Sequence, residues 1–169
     1  MAAKVVIRKI LPSDVPVVVE LIKELAVSLK CPNEFSLTPE QIKEHLKANL
    51  FTGRIAYVDN EPAGMFTFFT AYSSWKGPFM HGEDLIVRPK FRNMQIGLKL
   101  WIEAFKYAAD HDLQRFEGDV LKTNTKVLNM YKRFNGVNVT QVEGWQKQRI
   151  SREDIVRNSK LLDDFKSKL

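Results

Sequence analysis

Two adjacent carboxylates, Glu83 and Asp84, stand at the start of a short apolar run in the middle of the chain. The run itself consists of Leu85, Ile86 and Val87. A carboxylate at the mouth of a pocket can attract an ammonium group and then accept its proton, as amine chemistry near neutral pH requires. Neighbouring side chains of a regular strand point to opposite faces, so only one of the two acids is expected at a reacting centre.

The turn after this run, from Arg88 to Arg92, leads into a helical pattern that opens with a glycine. Strand, amide-rich turn and helix N-terminus bring unpaired N–H groups and the positive end of a helix dipole together, which favours a phosphate group. The candidate binding residues are Arg92, Asn93, Met94, Gln95, Ile96, Gly97 and Leu98. A plain strand-to-helix turn is the alternative, because a degenerate glycine loop is weak evidence by itself.

The composition is that of one globular domain over residues 1–169, with 44% hydrophobic and 27% charged residues. No window approaches the roughly 20 apolar residues of a membrane span, and the N-terminus lacks the order of a signal peptide. A lone Cys31 excludes an internal disulfide framework, and the Cys, His and acid spacings offer no metal site. We therefore expect a cytoplasmic protein with neither a membrane segment nor a metal.

A net charge of +6 favours an acidic partner. The 26 Lys and Arg are scattered and form no basic run interleaved with aromatic residues, so nucleic acid is not expected. A polyanionic cofactor and a merely solubilised surface both remain consistent with this charge.

Hydrophobic periodicity and turn residues predict the order β-α-α-β-β-β-α-β-α-β-β. The predicted strands are residues 4–8, 54–58, 62–70, 80–87 and 115–120, with a closing pair at 137–142 and 145–150. The predicted helices follow a cap at 13–14, a capping box at 38–41, the glycine at 97 and residue 123, and a short last helix is capped by 151–154.

Arg92, Gln95 and Gly97 lie where the acetyl-CoA-dependent N-acetyltransferases of the Gcn5-related (GNAT) family carry Arg/Gln-x-x-Gly-x-Gly/Ala. The chain resembles this family in its element order as well as in this motif. The resemblance implies an α/β fold with a mixed, mostly antiparallel sheet, flanked by helices and splayed between two central strands. It also implies acetyl-CoA as cofactor. Gln95 replaces the first glycine, which a helical φ would accept at modest cost.

Short stretches bring the chain closest to the diamine and thialysine acetyltransferases of that family. They are residues 21–26, Glu83-Asp84, Asn124 with residues 131–133, and residues 143–145. This resemblance implies that Glu83 is the general base, through water, and that Tyr131 protonates the leaving thiolate. It implies that Asn124 binds the pantetheine arm. Lys132 and Arg133 are candidates to bind the phosphates, or alternatively only favour the C-terminus of their helix. The amides of residues 85–87 are the candidates to bind the acetyl oxygen. Relatives of this type are homodimers.

Substrate preference follows from acids that the chain lacks. Polyamine-selective relatives carry extra acids where this chain has Leu29 and Ser73, and Glu34 is the nearest acid left in the first loop. Trp75 is a candidate to stack on a cation, or alternatively to anchor its loop. We expect the substrate to be a small lysine-like amine or diamine, bound by Glu34, Trp75, Glu83 and Asp84. We expect the acetyl group to pass directly to this amine in a ternary complex, because no neighbouring residues in the sequence are suited to activate Cys31 as an acyl carrier.

Two rival functions stay open beside the acetylation of a small amine. A peptide or histone lysine acetyltransferase would share the fold but needs an open groove. A domain that binds acyl-CoA or a protein partner without turnover is the other rival, for which Gln95 is the only indication. His81 is either structural or part of a proton relay with Glu83.

Overall fold

The chain divides into two compact units, Met1–Thr123 and Asn124–Leu169, in a computed structural model that describes residues 3–159. The first unit is built on a sheet, and the described part of the second is helical.

Five strands form one open sheet in the order β1-β2-β3-β4-β5. They are β1 Val5–Lys9, β2 Thr52–Val58, β3 Glu61–Ser73, β4 Gly77–Val87 and β5 Phe116–Gly118. The first three pairings are antiparallel and the pairing of β4 with β5 is parallel. This confirms the predicted mixed, mostly antiparallel sheet.

Three helices cover the two faces of the sheet. They are α1 Val15–Ser28, α2 Pro39–Lys47 and α3 Ile96–Asp110. Helices α1 and α2 share a buried cluster with Ile55, Met65 and Ile86 of the sheet. On the opposite face, Trp101 of α3 packs edge-on against Phe66 and Phe116. The side chains of alternate strand residues therefore pack into two separate apolar layers, one on each face of the sheet.

Helix α2 begins as its sequence predicts. The Thr38 side chain accepts a hydrogen bond from the Gln41 amide (3.2 Å), and the Gln41 side chain accepts one from the Thr38 amide (2.9 Å). Pro39 occupies the first helical position, where its missing N–H costs nothing. The capping box is confirmed.

The N-cap of α1 is Asp14, within the predicted residues 13–14, but its side chain makes no capping hydrogen bond because it has other partners. Its carboxylate binds the guanidinium of Arg8 at 2.6 and 2.7 Å and accepts the Leu11 amide at 2.8 Å. The Arg8 guanidinium holds the pKa of this nearly buried carboxyl below its usual range. Asp14 therefore ties β1 to the segment that precedes α1.

Strands β3 and β4 form a longer hairpin than predicted. The predicted strands leave residues 71–79 between them, whereas only residues 74–76 lie between β3 and β4 in the structure. The Ser73 hydroxyl accepts the amides of Trp75 and Lys76, each at 3.3 Å, and closes the turn. Trp75 is consequently carried at the hairpin tip.

The described part of the second unit contains three helices, α4 Thr125–Arg133, α5 Val139–Glu143 and α6 Arg152–Asn158. The predicted strand pair at 137–142 and 145–150 is therefore wrong. Asn138 caps α5 through a hydrogen bond from the Gln141 amide (3.2 Å), and Gly144 ends it with a left-handed φ of 76°. No strand within residues 124–159 offers an edge with which a second strand could pair.

No helix within residues 3–159 combines the length and the apolar character that crossing a bilayer would demand.

Candidate active site

An extra residue in β4 interrupts its pairing with β3 at Glu83 and Asp84, where the two acids oppose Thr67 alone. Asp84 donates its amide to the Thr67 hydroxyl at 3.1 Å, and Glu83 lies 3.8 Å from His81. Phe69, two residues along β3 from Thr67, stacks on His81. Both acids thus lie on one face of the sheet. The prediction that they point to opposite faces is wrong, because a β-bulge breaks the alternation of a strand.

The two carboxylates differ in their surroundings. Glu83 is exposed, whereas Asp84 is partly buried beside Thr67. Burial, together with the neighbouring charge of Glu83, raises the pKa of Asp84 from its ordinary 3.8 to about 6, although the Thr67 hydrogen bond opposes this. A carboxyl kept charged at neutral pH against such a cost is typical of a functional site.

The side of β4 that faces away from β3 is open along the second half of the strand. β5 pairs only with Met80, His81 and Gly82, and no other strand within residues 3–159 takes this side. The amides of Asp84 and Arg88 donate toward β3, so alternation directs those of Leu85 and Val87 to the open side. The amide of Ile86 faces β3, and its side chain is buried in the core.

The end of β4 is anchored to α1 by one arginine. The guanidinium of Arg88 lies 2.7 Å from carboxylate oxygens of both Glu20 and Glu24, and it also donates to the Pro62 carbonyl at 3.1 Å. These carboxylates raise the pKa of Arg88, which stays charged. The Arg88 pairs hold the open half of β4 in place and also occupy two acids of α1.

The turn before α3 contains two residues whose backbone is in the left-handed conformation. Asn93 has φ 69° and Gln95 has φ 58°, and Gln95 is the N-cap of α3. Gln95 therefore lacks the helical φ at which replacement of the motif glycine would carry only a modest cost. Backbone turns of this kind direct successive N–H groups into a concave anion site. The exposed Arg92 donates its Nε–H to the Val87 carbonyl at 3.3 Å, which joins the turn to the end of β4.

Gly97 leaves space at the start of α3. A Cβ added there would meet only the Val87 side chain, at 3.7 Å, which is ordinary contact. Packing within the protein therefore does not demand glycine at this position. Bare backbone beside a helix N-terminus instead fits the close approach of a phosphate group.

In the second unit, Asn124 caps α4 and Tyr131 lies in its last two turns. The Asn124 Oδ1 accepts the Val127 amide at 3.3 Å, a bond that leaves its NH2 group unused. Gly136 donates its amide to the Tyr131 carbonyl at 2.8 Å, and a Cβ on Gly136 would meet the Tyr131 ring at 3.0 Å. The ring is thus oriented by its own helix terminus. Arg133 is exposed.

The two remaining predicted substrate residues are on the surface. Trp75 is 81% exposed at the tip of the β3–β4 hairpin, which disfavours a loop-anchoring role. Glu34 is exposed in the loop between α1 and α2.

Sequence reasoning missed Thr67 and Asp119. A threonine inside the apolar run Met65–Phe69 is a detectable signal, since a buried hydroxyl needs a partner. Asp119 follows β5 and lies 3.7 Å from His81. Nothing in the sequence pattern places it there, because β4 and β5 are joined through a whole helix.

Comparison with known proteins finds a family match and several relatives. Residues 19–136 match the model of the acetyltransferase (GNAT) family. A thialysine N-epsilon-acetyltransferase of Caenorhabditis elegans is 35% identical over 134 residues, which cover 79% of this chain and 84% of that protein. The Sus scrofa protein of the same name is 27% identical over 161 residues, 89% of this chain and 95% of that protein.

The fold has solved counterparts. An aminoglycoside N-acetyltransferase in complex with CoA superposes with a TM-score of 0.67 over 90% of this chain and 96% of that chain, at 14% identity. At this identity the likeness concerns the fold alone.

We predict that Asp84→Asn stabilises the protein at neutral pH. A carboxyl whose folded pKa is raised destabilises the folded state above that pKa, and the effect disappears below its unfolded value. Two pKa units correspond to about 3 kcal/mol at most. Urea unfolding should therefore show the variant to be more stable than wild type at pH 7.5 and equal to it at pH 3.5. Equal stability at both pH values would contradict the burial of Asp84. Asp59→Asn, in the exposed turn between β2 and β3, is the control.

We also predict that Gln95→Gly leaves stability unchanged or raises it. A left-handed conformation costs a non-glycine residue about 1–2 kcal/mol, which offsets the greater backbone entropy of glycine. Lys99→Gly, in the exposed interior of α3, should instead lose about 1 kcal/mol. Thermal unfolding of the two variants separates these outcomes, and equal losses would contradict the left-handed φ at residue 95.

Proposed function

Because this chain belongs to the GNAT acetyltransferase family, we propose that it acetylates the primary amine of a small lysine-like amine or diamine by direct transfer in a ternary complex. The observation that carries the proposal is the bulge that sets Glu83 and Asp84 side by side, next to the open half of β4 and the N-terminus of α3. An ammonium group is suited to the first feature and an anionic acyl donor to the second.

Acetyl-CoA is the acetyl donor of this family and supplies the acetyl group as a reactive thioester. In our proposal its phosphates are bound by the amides of residues 93–98 and by Arg92, with Arg133 as a second cation. The left-handed turn and the space at Gly97 support this assignment. The amides of Leu85 and Val87 bind the acetyl oxygen as charge develops on it. Ile86 is not assigned a role, since its amide faces β3.

Glu83 is assigned as the general base. It is the more exposed of the two acids, so a substrate ammonium or a bridging water can reach it from solvent. Removal of one proton leaves the amine with the lone pair that attacks the thioester carbonyl. Asp84, partly buried behind it, adds negative charge that attracts the cation.

Tyr131 is assigned as the acid that protonates the departing thiolate, and Asn124 as a ligand of the pantetheine arm. The contact with Gly136 supports a defined orientation of the Tyr131 ring. A phenol with a pKa of about 10 gives its proton unfavourably to a thiolate whose thiol has a pKa of about 8.5. This role therefore depends on close positioning of the two groups. Asn124 contributes its NH2 group while Oδ1 caps α4.

A small substrate is favoured over a long polyamine. The acids Glu20 and Glu24 of α1 are engaged by Arg88, which leaves Glu34 as an exposed acid of the following loop. The relatives named thialysine N-epsilon-acetyltransferases act on an amine of this size class. Trp75 is assigned to the substrate's alkyl part or distal cation. A homodimer and a cytoplasmic location stay predictions of the sequence.

A panel of amines tests this function. The protein is incubated with acetyl-CoA and thialysine, putrescine, agmatine, spermidine or a lysine peptide, and thiol release is measured. We expect thialysine or a short diamine to give the highest kcat/KM. Preference for the lysine peptide would favour a peptide acetyltransferase, and tight acetyl-CoA binding without turnover of any amine would favour a binding domain.

Glu83→Gln should lower kcat by at least about 100-fold at pH 7, the usual contribution of a general base. The deficit should shrink as the pH approaches that of the amine's own deprotonation, because the free amine no longer needs a base. The pH profile of kcat/KM is the measurement, with Glu44→Gln on the exposed face of α2 as the control. A deficit that stays constant with pH would argue against the base role.

Tyr131→Phe should slow thiol release by about 10- to 100-fold while leaving the Kd of acetyl-CoA within about twofold. The reason is that only the phenol hydroxyl is removed, and the aromatic ring keeps its place beside Gly136. Single-turnover thiol release and equilibrium binding measure the two quantities. If rate and affinity fall together, Tyr131 is a packing residue instead.

A further inference from the structure

His81 lies between two carboxylates that reach it from different strands. Its Nε2 is 3.8 Å from Oε2 of Glu83, on the same strand, and 3.7 Å from Oδ2 of Asp119, just beyond β5. The ring stacks on Phe69 with 4.9 Å between centroids. Its side chain is only 19% exposed, whereas the Glu83 and Asp119 side chains are 58% and 59% exposed.

One ring nitrogen therefore faces both acids. Both distances exceed a direct hydrogen bond, so a small rotation or one bridging water completes either contact. A neutral imidazole with its proton on Nδ1 can accept a proton at Nε2 and then donate it from the same atom. The stacking on Phe69 holds the ring plane while the proton changes partner.

The other charged and polar groups around His81 have partners of their own. On β5, Glu117 lies opposite His81 in the parallel register and is paired with Arg115 at 2.5 Å. Asp84 of β4 is bonded to Thr67 of β3. Nε2 of His81 therefore has Glu83 and Asp119 as neighbouring acids.

We propose that His81 relays the substrate's proton from Glu83 to Asp119 and so to solvent. His81 is a positioning residue in this proposal because it acts through Glu83. The relay rests on the proposed function. Acetylation of R–NH3+ by a thioester gives the amide, the thiol and one proton, so each turnover must release that proton. The N–H bond of the ammonium breaks and Glu83 gains the proton. The proton moves to Nε2 of His81, then to the Asp119 carboxylate and then to water. Glu83 is thereby returned to its charged form.

The test compares His81→Gln with wild type, on the amine that wild type acetylates best. We expect kcat to fall about tenfold near pH 7 and the deficit to shrink toward pH 9.5, because a growing fraction of an amine with a pKa of about 10 then arrives neutral. The KM for acetyl-CoA should not change. Asp119→Asn should show the same pH-dependent deficit, and the double variant should be no worse than either single variant. Asp112→Asn, an exposed acid after α3, is the matched control.

A second variant separates relay from packing. His81→Ala should regain most of its rate in imidazole buffer, whereas a purely structural loss would not respond to the buffer. A pH-independent deficit without rescue, or a wild-type profile in His81→Gln, would overturn the relay and leave the proposed function standing. Absence of turnover by wild type on every amine would overturn the proposed function, and the relay with it.

Discussion

The structure depends above all on the single extra residue that β4 carries opposite Thr67. Because side chains alternate along a strand, this insertion moves every later residue of β4 to the other face. Gly82 lies against the aromatic rings of the α3 layer, whereas Ile86, four residues later, lies in the α1 layer. The bulge also puts both acids on one face. The pairing with β5 stops at Gly82, immediately before the bulge, so the open half of β4 begins at the acid pair.

Two unfavourable features lie beside this irregularity. Burial and a like charge disfavour the ionised form of Asp84, and a left-handed φ disfavours Gln95. The described contacts of Asp84 and Gln95 do not fully offset these costs. At Asp84, the hydrogen bond with Thr67 offsets only part of the cost of keeping the carboxylate charged. Local strain and costly charges concentrate at functional sites, where the rest of the fold holds them in place. Here the aromatic layer around Trp101 and the anchoring of Arg88 by Glu20 and Glu24 supply that support.

Much of the fold was predictable because its signals are local. The capping box at Thr38, the amphipathic pattern of α3 and the cap of α6 by Ser151 each rest on residues within a few positions of one another. The strand pair expected at 137–142 and 145–150 failed for a different reason. An apolar alternation also fits a short capped helix, and a strand forms only where an edge is available to pair with it. Asp14 does lie at the N-cap of α1, but its carboxylate binds a partner outside the helix, Arg8 of β1, and makes no capping hydrogen bond.

By itself the sequence determined the family, the order of elements through α4 and the residues from which a site could be built. Those properties follow from periodicity, turn chemistry and short motifs, which involve residues close to one another in the sequence. Only the tertiary structure decided how those residues stand to one another: both acids on one face, the amides of Leu85 and Val87 rather than Ile86 on the open side, and Asp119 within reach of His81. The physical reason is that strand register and inter-strand pairing join residues far apart in the chain, and a one-residue bulge leaves no signal in the local pattern.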